Sequence, residues 1–178
     1  MSRANAPKIM LLTGPREVGK TTWILELCEH LRSKGRAVFG VATPKIFADG
    51  NAIGIAARDL ATGRQVPLAY IDEEPGIRIG PWRFSPEGIE FGNRACAPRP
   101  GKGPAVIDEI GPLELQGKGF STALDGLKQG RYPQAIVVVR PKLADQVAAM
   151  IFGRVAIQAF QPDVDFDNIL ELLENIEK

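Results

Sequence analysis

Residues 9–22 read Ile9-Met10-Leu11-Leu12-Thr13-Gly14-Pro15-Arg16-Glu17-Val18-Gly19-Lys20-Thr21-Thr22, and this stretch sets the class of fold. Its first four residues are a short apolar run stopped by a Thr-Gly-Pro turn signal, the pattern of a buried parallel strand. From Thr21 the period changes. Ile24, Leu27, Cys28 and Leu31 recur at i, i+3, i+4 and i+7, one face of an amphipathic helix. Between strand and helix, Gly14 to Thr21 satisfy G-x-x-x-x-G-K-[ST]. Such a loop wraps a phosphate with successive backbone N–H groups, so glycines are needed where the chain turns tightly against its ligand. The helix beginning at Lys20 adds the positive end of its dipole. Lys20 is expected to reach the β- and γ-phosphates, and the Thr21 hydroxyl to ligate magnesium. An acid beside a triphosphate repels it, so Glu17 is expected to point outward, held by Arg16.

Working outward, Ala37–Ala42 reads as a second strand stopped by Thr43-Pro44. Asn51–Leu60 and Gln65–Ile71 read as strands joined at Thr62-Gly63, and Arg78–Phe84 as one further strand. Ser85-Pro86-Glu87 starts a helix with an N-cap, a proline at N1 and a first-turn acid. Ala97–Gly103 reads as a loop. Residues 45–103 match their flanks in composition, so they are expected to form an irregular β-rich insertion within a single domain spanning residues 1–178. Beyond it, Phe120–Leu127 and Leu143–Ile151 read as helices, Ala135–Val139 and Val155–Phe160 as strands, and Phe166–Ile176 as a final amphipathic helix. Strands alternating with helices predict a three-layer α/β fold with a mostly parallel, helix-covered sheet.

Val106-Ile107-Asp108-Glu109 is an apolar strand ending in two carboxylates. Ligands of parallel sheets sit at the carboxyl ends of strands, which puts both acids beside the phosphate loop. Asp108, a hard oxygen donor, is expected to hold magnesium through its water shell. Glu109 is expected to orient or deprotonate an attacking water. A metal site needs one acid, and a second at the next position points toward hydrolysis.

The 178 residues carry 22 Lys plus Arg against 21 Asp plus Glu, a net charge of +1, so nothing advertises nucleic acid or an anionic membrane as partner. Two cysteines are too few for a disulfide framework or a four-cysteine zinc site. With no signal-peptide core and no spanning apolar run, a cytoplasmic location is expected.

With both motifs placed, the chain resembles the small nucleoside-triphosphatase family of the cancer-related type, found from thermophilic microbes to animals. Four stretches carry the resemblance: the phosphate loop Gly14 to Thr22, Asp59-Leu60-Ala61-Thr62-Gly63 with Pro67-Leu68-Ala69, Ile79-Gly80-Pro81-Trp82-Arg83-Phe84, and Ile107 to Leu115. The last, with its Asp-Glu-Ile-Gly core, is the most specific. The resemblance implies a RecA-like sheet and magnesium-dependent hydrolysis of ATP, GTP and other nucleoside triphosphates with loose base choice. Pro112 departs from it, standing where the family usually has a basic residue.

Other side chains carry weaker signals. Arg58, Arg64, Arg78, Arg83, Arg94 and Arg99 read as solvated surface charges, although one of them near a γ-phosphate would neutralise transition-state charge. Arg140 ends a buried strand on the ligand side of the sheet. Trp23 reads as core packing, His30 as a surface or cap residue, and Glu114 either as part of a hydrogen-bond network or as solvent-facing. Two rival functions stay open. In a small-molecule or nucleotide kinase, Glu109 would serve as base toward an acceptor hydroxyl. In a nucleotide-dependent switch, hydrolysis would only be a timer.

Overall fold

The computed structural model describes residues 6–71, 76–99 and 103–176. In chain order the strands are β1 (Lys8–Thr13), β2 (Phe39–Ala42), β3 (Lys45–Ala48), β4 (Asn51–Asp59), β5 (Gln65–Ile71), β6 (Ile77–Ile79), β7 (Trp82–Phe84), β8 (Ala105–Ile110), β9 (Gln134–Val139) and β10 (Arg154–Ala159). The helices are α1 (Lys20–Ser33), α2 (Pro86–Ala95), α3 (Pro112–Leu115), α4 (Ser121–Lys128), α5 (Ala144–Met150) and α6 (Phe166–Glu174).

All ten strands join one sheet, ordered β10-β1-β9-β8-β2-β4-β5-β7-β6, with β3 on β4. From β10 to β2 every pairing is parallel, and from β2 to β6 every pairing is antiparallel. Chain connectivity explains the switch. Parallel neighbours need a crossover helix, whereas β3 and β4, β4 and β5, and β6 and β7 are each joined by a short turn. The segment expected as an insertion therefore extends the sheet sideways. Two boundaries differ from expectation there. Arg78–Phe84 is a hairpin, β6 and β7, reversed at Gly80-Pro81. Lys45–Ala48 is a strand in its own right, folded back on β4 through Asp49-Gly50, whose φ values of 49° and 77° suit a two-residue hairpin turn. Part of the expected Ala97–Gly103 loop, residues 100–102, lies outside the described residues.

Apart from the edge strand β10, the parallel strands are buried on both faces, and their alternation divides the core in two. On β1, Ile9 and Leu11 face one cluster with Ala123, Leu124 and Leu127 of α4 and Val147 of α5. Met10 and Leu12 face the other, with Ile24, Leu27 and Leu31 of α1 and Ile169, Leu170 and Leu173 of α6. Helices thus cover the sheet on both sides, the expected three layers. Ser85 caps α2 by accepting from Gly88 N–H at 2.9 Å, ahead of Pro86 and Glu87 as read. Among the described residues no helix is long and apolar enough to cross a membrane.

Candidate active site

The register aligns Thr13 of β1 with Val139 of β9, and Val139 with Ile110 of β8, so three strand ends lie level and adjacent. Everything the sequence singled out as chemistry emerges from those ends. After Thr13 the chain loops through residues 14–19 and enters α1 with Gly19 at φ 88°, a left-handed conformation that glycine adopts without strain. No side chain caps α1 and its first turn holds no acid, which leaves the helix start to an external anion.

Lys20 bends back over the loop, donating from Nζ to the Gly14 carbonyl at 3.1 Å and to the Pro15 carbonyl. Burial pulls its ammonium below the ordinary lysine value, while Glu109 and Asp108 act in the opposite direction. Arg16, Glu17 and Val18 are exposed. Glu17 does point outward as expected, but its partner is Lys45 of β3. That ion pair holds the Glu17 carboxyl below the usual range, and Arg16 contributes only a smaller through-space effect.

Asp108 is 4% exposed. It accepts from the Thr43 N–H and the Thr43 hydroxyl, both at 3.0 Å, and the Thr21 hydroxyl is near enough to favour its charged form. Burial raises its carboxyl above the ordinary aspartate value, partly offset by these hydrogen bonds. Thr43 was read only as a strand stop. A hydroxyl at the end of β2, next to β8, was the available signal. Residues that suit magnesium come near one another here: a hydroxyl from the start of α1 and a buried carboxylate at the end of β8, both hard oxygen donors. Among the described residues no group of three or more His, Cys, Asp or Glu side chains gathers as a metal cage. A two-residue donor set suits an ion that keeps waters and takes phosphate oxygens.

Glu109 takes φ 87°, unusual for a residue with a Cβ, where the β8–β9 ladder slips between Ile107 and Ile110. The bulge turns its side chain toward the cleft, where Oε1 accepts from Arg140 Nε. Glu114, at N3 of α3, is 8% exposed and accepts from the Gly111 N–H at 2.8 Å and the Phe120 N–H at 2.9 Å. The network reading of Glu114 holds. Gly14, Arg16, Lys20, Glu109, Pro112 and Arg140 line a cleft of about 430 Å³.

Other candidates fall elsewhere. Trp23 is 4% exposed and packs edge-on against Phe160 at 5.9 Å. His30 bonds Asp167 at 2.8 Å, near the end of α1. Arg94 pairs with Glu90 on α2, Arg99 lies 3.9 Å from Asp59, and Arg83 donates to the Gly76 carbonyl. Cys28 is buried with its thiol pushed up to about 12, and Cys96 is raised as well, so neither is a nucleophile.

Over 121 residues the chain is 37% identical to the nucleoside-triphosphatase THEP1 of Thermofilum pendens, covering 67% of this chain and 66% of that protein. Over 137 residues it is 31% identical to the THEP1 of Ignicoccus hospitalis, covering 77% and 78%. A cancer-related nucleoside-triphosphatase homolog of Bos taurus is 34% identical over 126 residues, 65% of this chain and 66% of its own length. The solution structure of a human cancer-related nucleoside triphosphatase superposes with a TM-score of 0.64 at 26% identity, over 96% of this chain and 95% of that one. The crystal structure of THEP1 from Aquifex aeolicus, at 18% identity, shares the fold with a TM-score of 0.71, covering 94% and 99%. A glycine-rich loop after β1, and a buried aspartate and a bulged glutamate on β8, thus sit in a chain whose residues 9–176 match the NTPase family model, and the chain belongs to that family.

Proposed function

We propose that this chain hydrolyses nucleoside triphosphates to diphosphate and phosphate with magnesium. The observation carrying the reading is the convergence of Lys20 and Thr21, after β1, with Asp108 and Glu109, at the level end of β8. Residues 14–22 receive the phosphates: the amides of Gly14, Pro15, Arg16, Glu17, Val18 and Gly19 form the cradle, Lys20 carries charge to the β- and γ-oxygens, and Thr21 and Thr22 open the helix beneath them. Pro15 has no N–H and contributes shape alone. Thr21 and Asp108 would hold magnesium, which when bound neutralises charge on the phosphate oxygens. Glu109 accepts a proton from water as its oxygen bonds to the γ-phosphorus and the bridging oxygen leaves with the diphosphate. No Asn-Lys-x-Asp guanine reader is present, so shape and stacking select the base weakly. The working unit is the whole chain, with residues 45–103 as its lateral elaboration. Two buried free thiols suit a reducing, cytoplasmic setting.

Phosphate release from ATP, GTP, CTP and UTP, each with and without magnesium, tests this. Release from several of them, dependent on magnesium and within about a thousandfold of one another, is expected. No release from any nucleotide overturns the reading, and turnover only upon adding an acceptor replaces it with a kinase.

A further inference from the structure

Arg140 follows the last residue of β9, the strand flanked by the phosphate-loop strand β1 on one side and the acidic strand β8 on the other. Its Nε donates to Glu109 Oε1. The pair is open, with 34% of the Arg140 side chain and 39% of the Glu109 side chain exposed, and so open an ion pair contributes little to folding. Yet Glu109 is held at φ 87° on a bulge, a conformation kept only where surrounding structure imposes it. The chain therefore bends its backbone to bring a carboxylate to the cleft, and then covers that carboxylate with a guanidinium. A contact of small stabilising value at a strained position is the signature of a contact meant to be exchanged.

We propose that Arg140 is a γ-phosphate ligand exchanged from Glu109. Without triphosphate it pairs with the carboxylate; the terminal phosphate of a bound triphosphate takes it over and leaves Glu109 free to accept the water proton. The inference rests on the hydrolase reading. Its physical basis is competition for one guanidinium. A terminal phosphate offers close to two charges and three acceptor oxygens, against one charge and two oxygens on the carboxylate, so the phosphate wins. Nε alone carries the present pair, and a guanidinium has further donors that fit phosphate as a fork. A diphosphate lacks the competing group and leaves the pair closed. Arg140 thus reads the presence of the γ-phosphate and releases the base only then.

Equilibrium binding of the β,γ-imido analogue of ATP and of ADP, each with magnesium chloride, tests the exchange on the parent, Arg140→Ala, Arg140→Lys, Glu109→Gln and the Arg140→Ala/Glu109→Gln pair. Arg140→Ala should lose about tenfold to a hundredfold in affinity for the imido analogue and stay within about threefold for ADP. Arg140→Lys, which keeps the charge but not the fork, should recover part of the loss. Glu109→Gln removes the competitor, so it should tighten the analogue in the parent background and do so less in the Arg140→Ala background. An unchanged analogue-to-ADP ratio in Arg140→Ala, or an equal gain from Glu109→Gln in both backgrounds, overturns the exchange. If the binding pattern appears while the parent releases no phosphate from ATP, the exchange stands and the hydrolase reading fails. A parent that binds neither nucleotide overturns both.

Discussion

Lys20 ends in an ammonium that donates to two loop carbonyls, those of Gly14 and Pro15, so its removal takes nothing from either core cluster. Lys20→Ala should therefore melt within a few degrees of the parent while losing nucleotide binding or turnover, and a folded variant with full turnover would remove the phosphate-loop assignment. Asp108 is the opposite kind of residue, because it serves the site at a cost to the fold. Burial raises its folded-state pKa, so the native protein binds a proton more tightly than the unfolded chain does. Its contribution to stability is present below the ordinary aspartate value and is lost as pH rises through the raised one. Asp108→Asn mimics the neutral form. At neutral pH and without ligand it should raise the melting temperature, while weakening magnesium-dependent nucleotide binding. A lower melting temperature with unchanged binding would contradict both halves. At this scale the sequence carried Lys20, Asp108 and Glu109, because spacing and strand ends fix them. It did not carry Thr43, Lys45 or the Arg140–Glu109 contact, since each joins residues far apart in the chain that only the assembled sheet brings together.

Among the α-helices, the shortest holds the acidic turn. α3 has only four residues, Pro112–Leu115, too few for periodicity to reveal, although Pro112 at N1 and Glu114 at N3 are a helix-start signature. One buried carboxylate ties the start of α3 to the start of α4 by accepting from the Gly111 and Phe120 N–H groups. Glu114→Ala leaves both N–H groups buried without an acceptor, a loss of about 2–4 kcal/mol. Thermal unfolding should then fall by roughly 5–15 °C, and a fall below about 2 °C would show that water or a local shift replaces the carboxylate. Because Gly111 lies two residues from Glu109, turnover in Glu114→Ala should fall further than stability alone explains, when measured well below its melting point. The β3–β4 hairpin was also legible in principle. Asp49-Gly50 is a strong two-residue turn signal, but Lys45–Ala48 is largely exposed and shows no alternation to mark it as a strand.

At the scale of the molecule, the parallel half of the sheet was legible because its strands are continuous apolar runs, such as Ala135–Val139, separated by helices. The antiparallel half was legible in its longer strands and not in its edges. β6 and β7 have three residues each, and one continuous strand and a hairpin share the same composition. The ion pair between Lys45 and Glu17 ties that half to the phosphate loop across the surface. Lys45→Ala should leave the melting temperature nearly unchanged, as loss of an exposed pair does, but free Glu17 to face the phosphates and weaken nucleotide binding severalfold. Salt titration gives the check: the difference between parent and variant should shrink as ionic strength rises.

β1 lies between β9 and β10, its two nearest partners in space and among the most distant in sequence. During synthesis this becomes a matter of timing. Thr13 leaves the ribosome long before Gln134 exists, and at about 5–20 residues per second the interval is on the order of ten seconds. Through that interval the phosphate loop has a helix after it but no sheet beneath it, so its amides have no fixed direction. A nascent chain arrested before Gln134 should gain no protease protection around Lys20 from a magnesium–triphosphate analogue, whereas the released chain should. The loop after β1 is thus expected to become competent only once β9 has been made, about 120 residues after the loop itself.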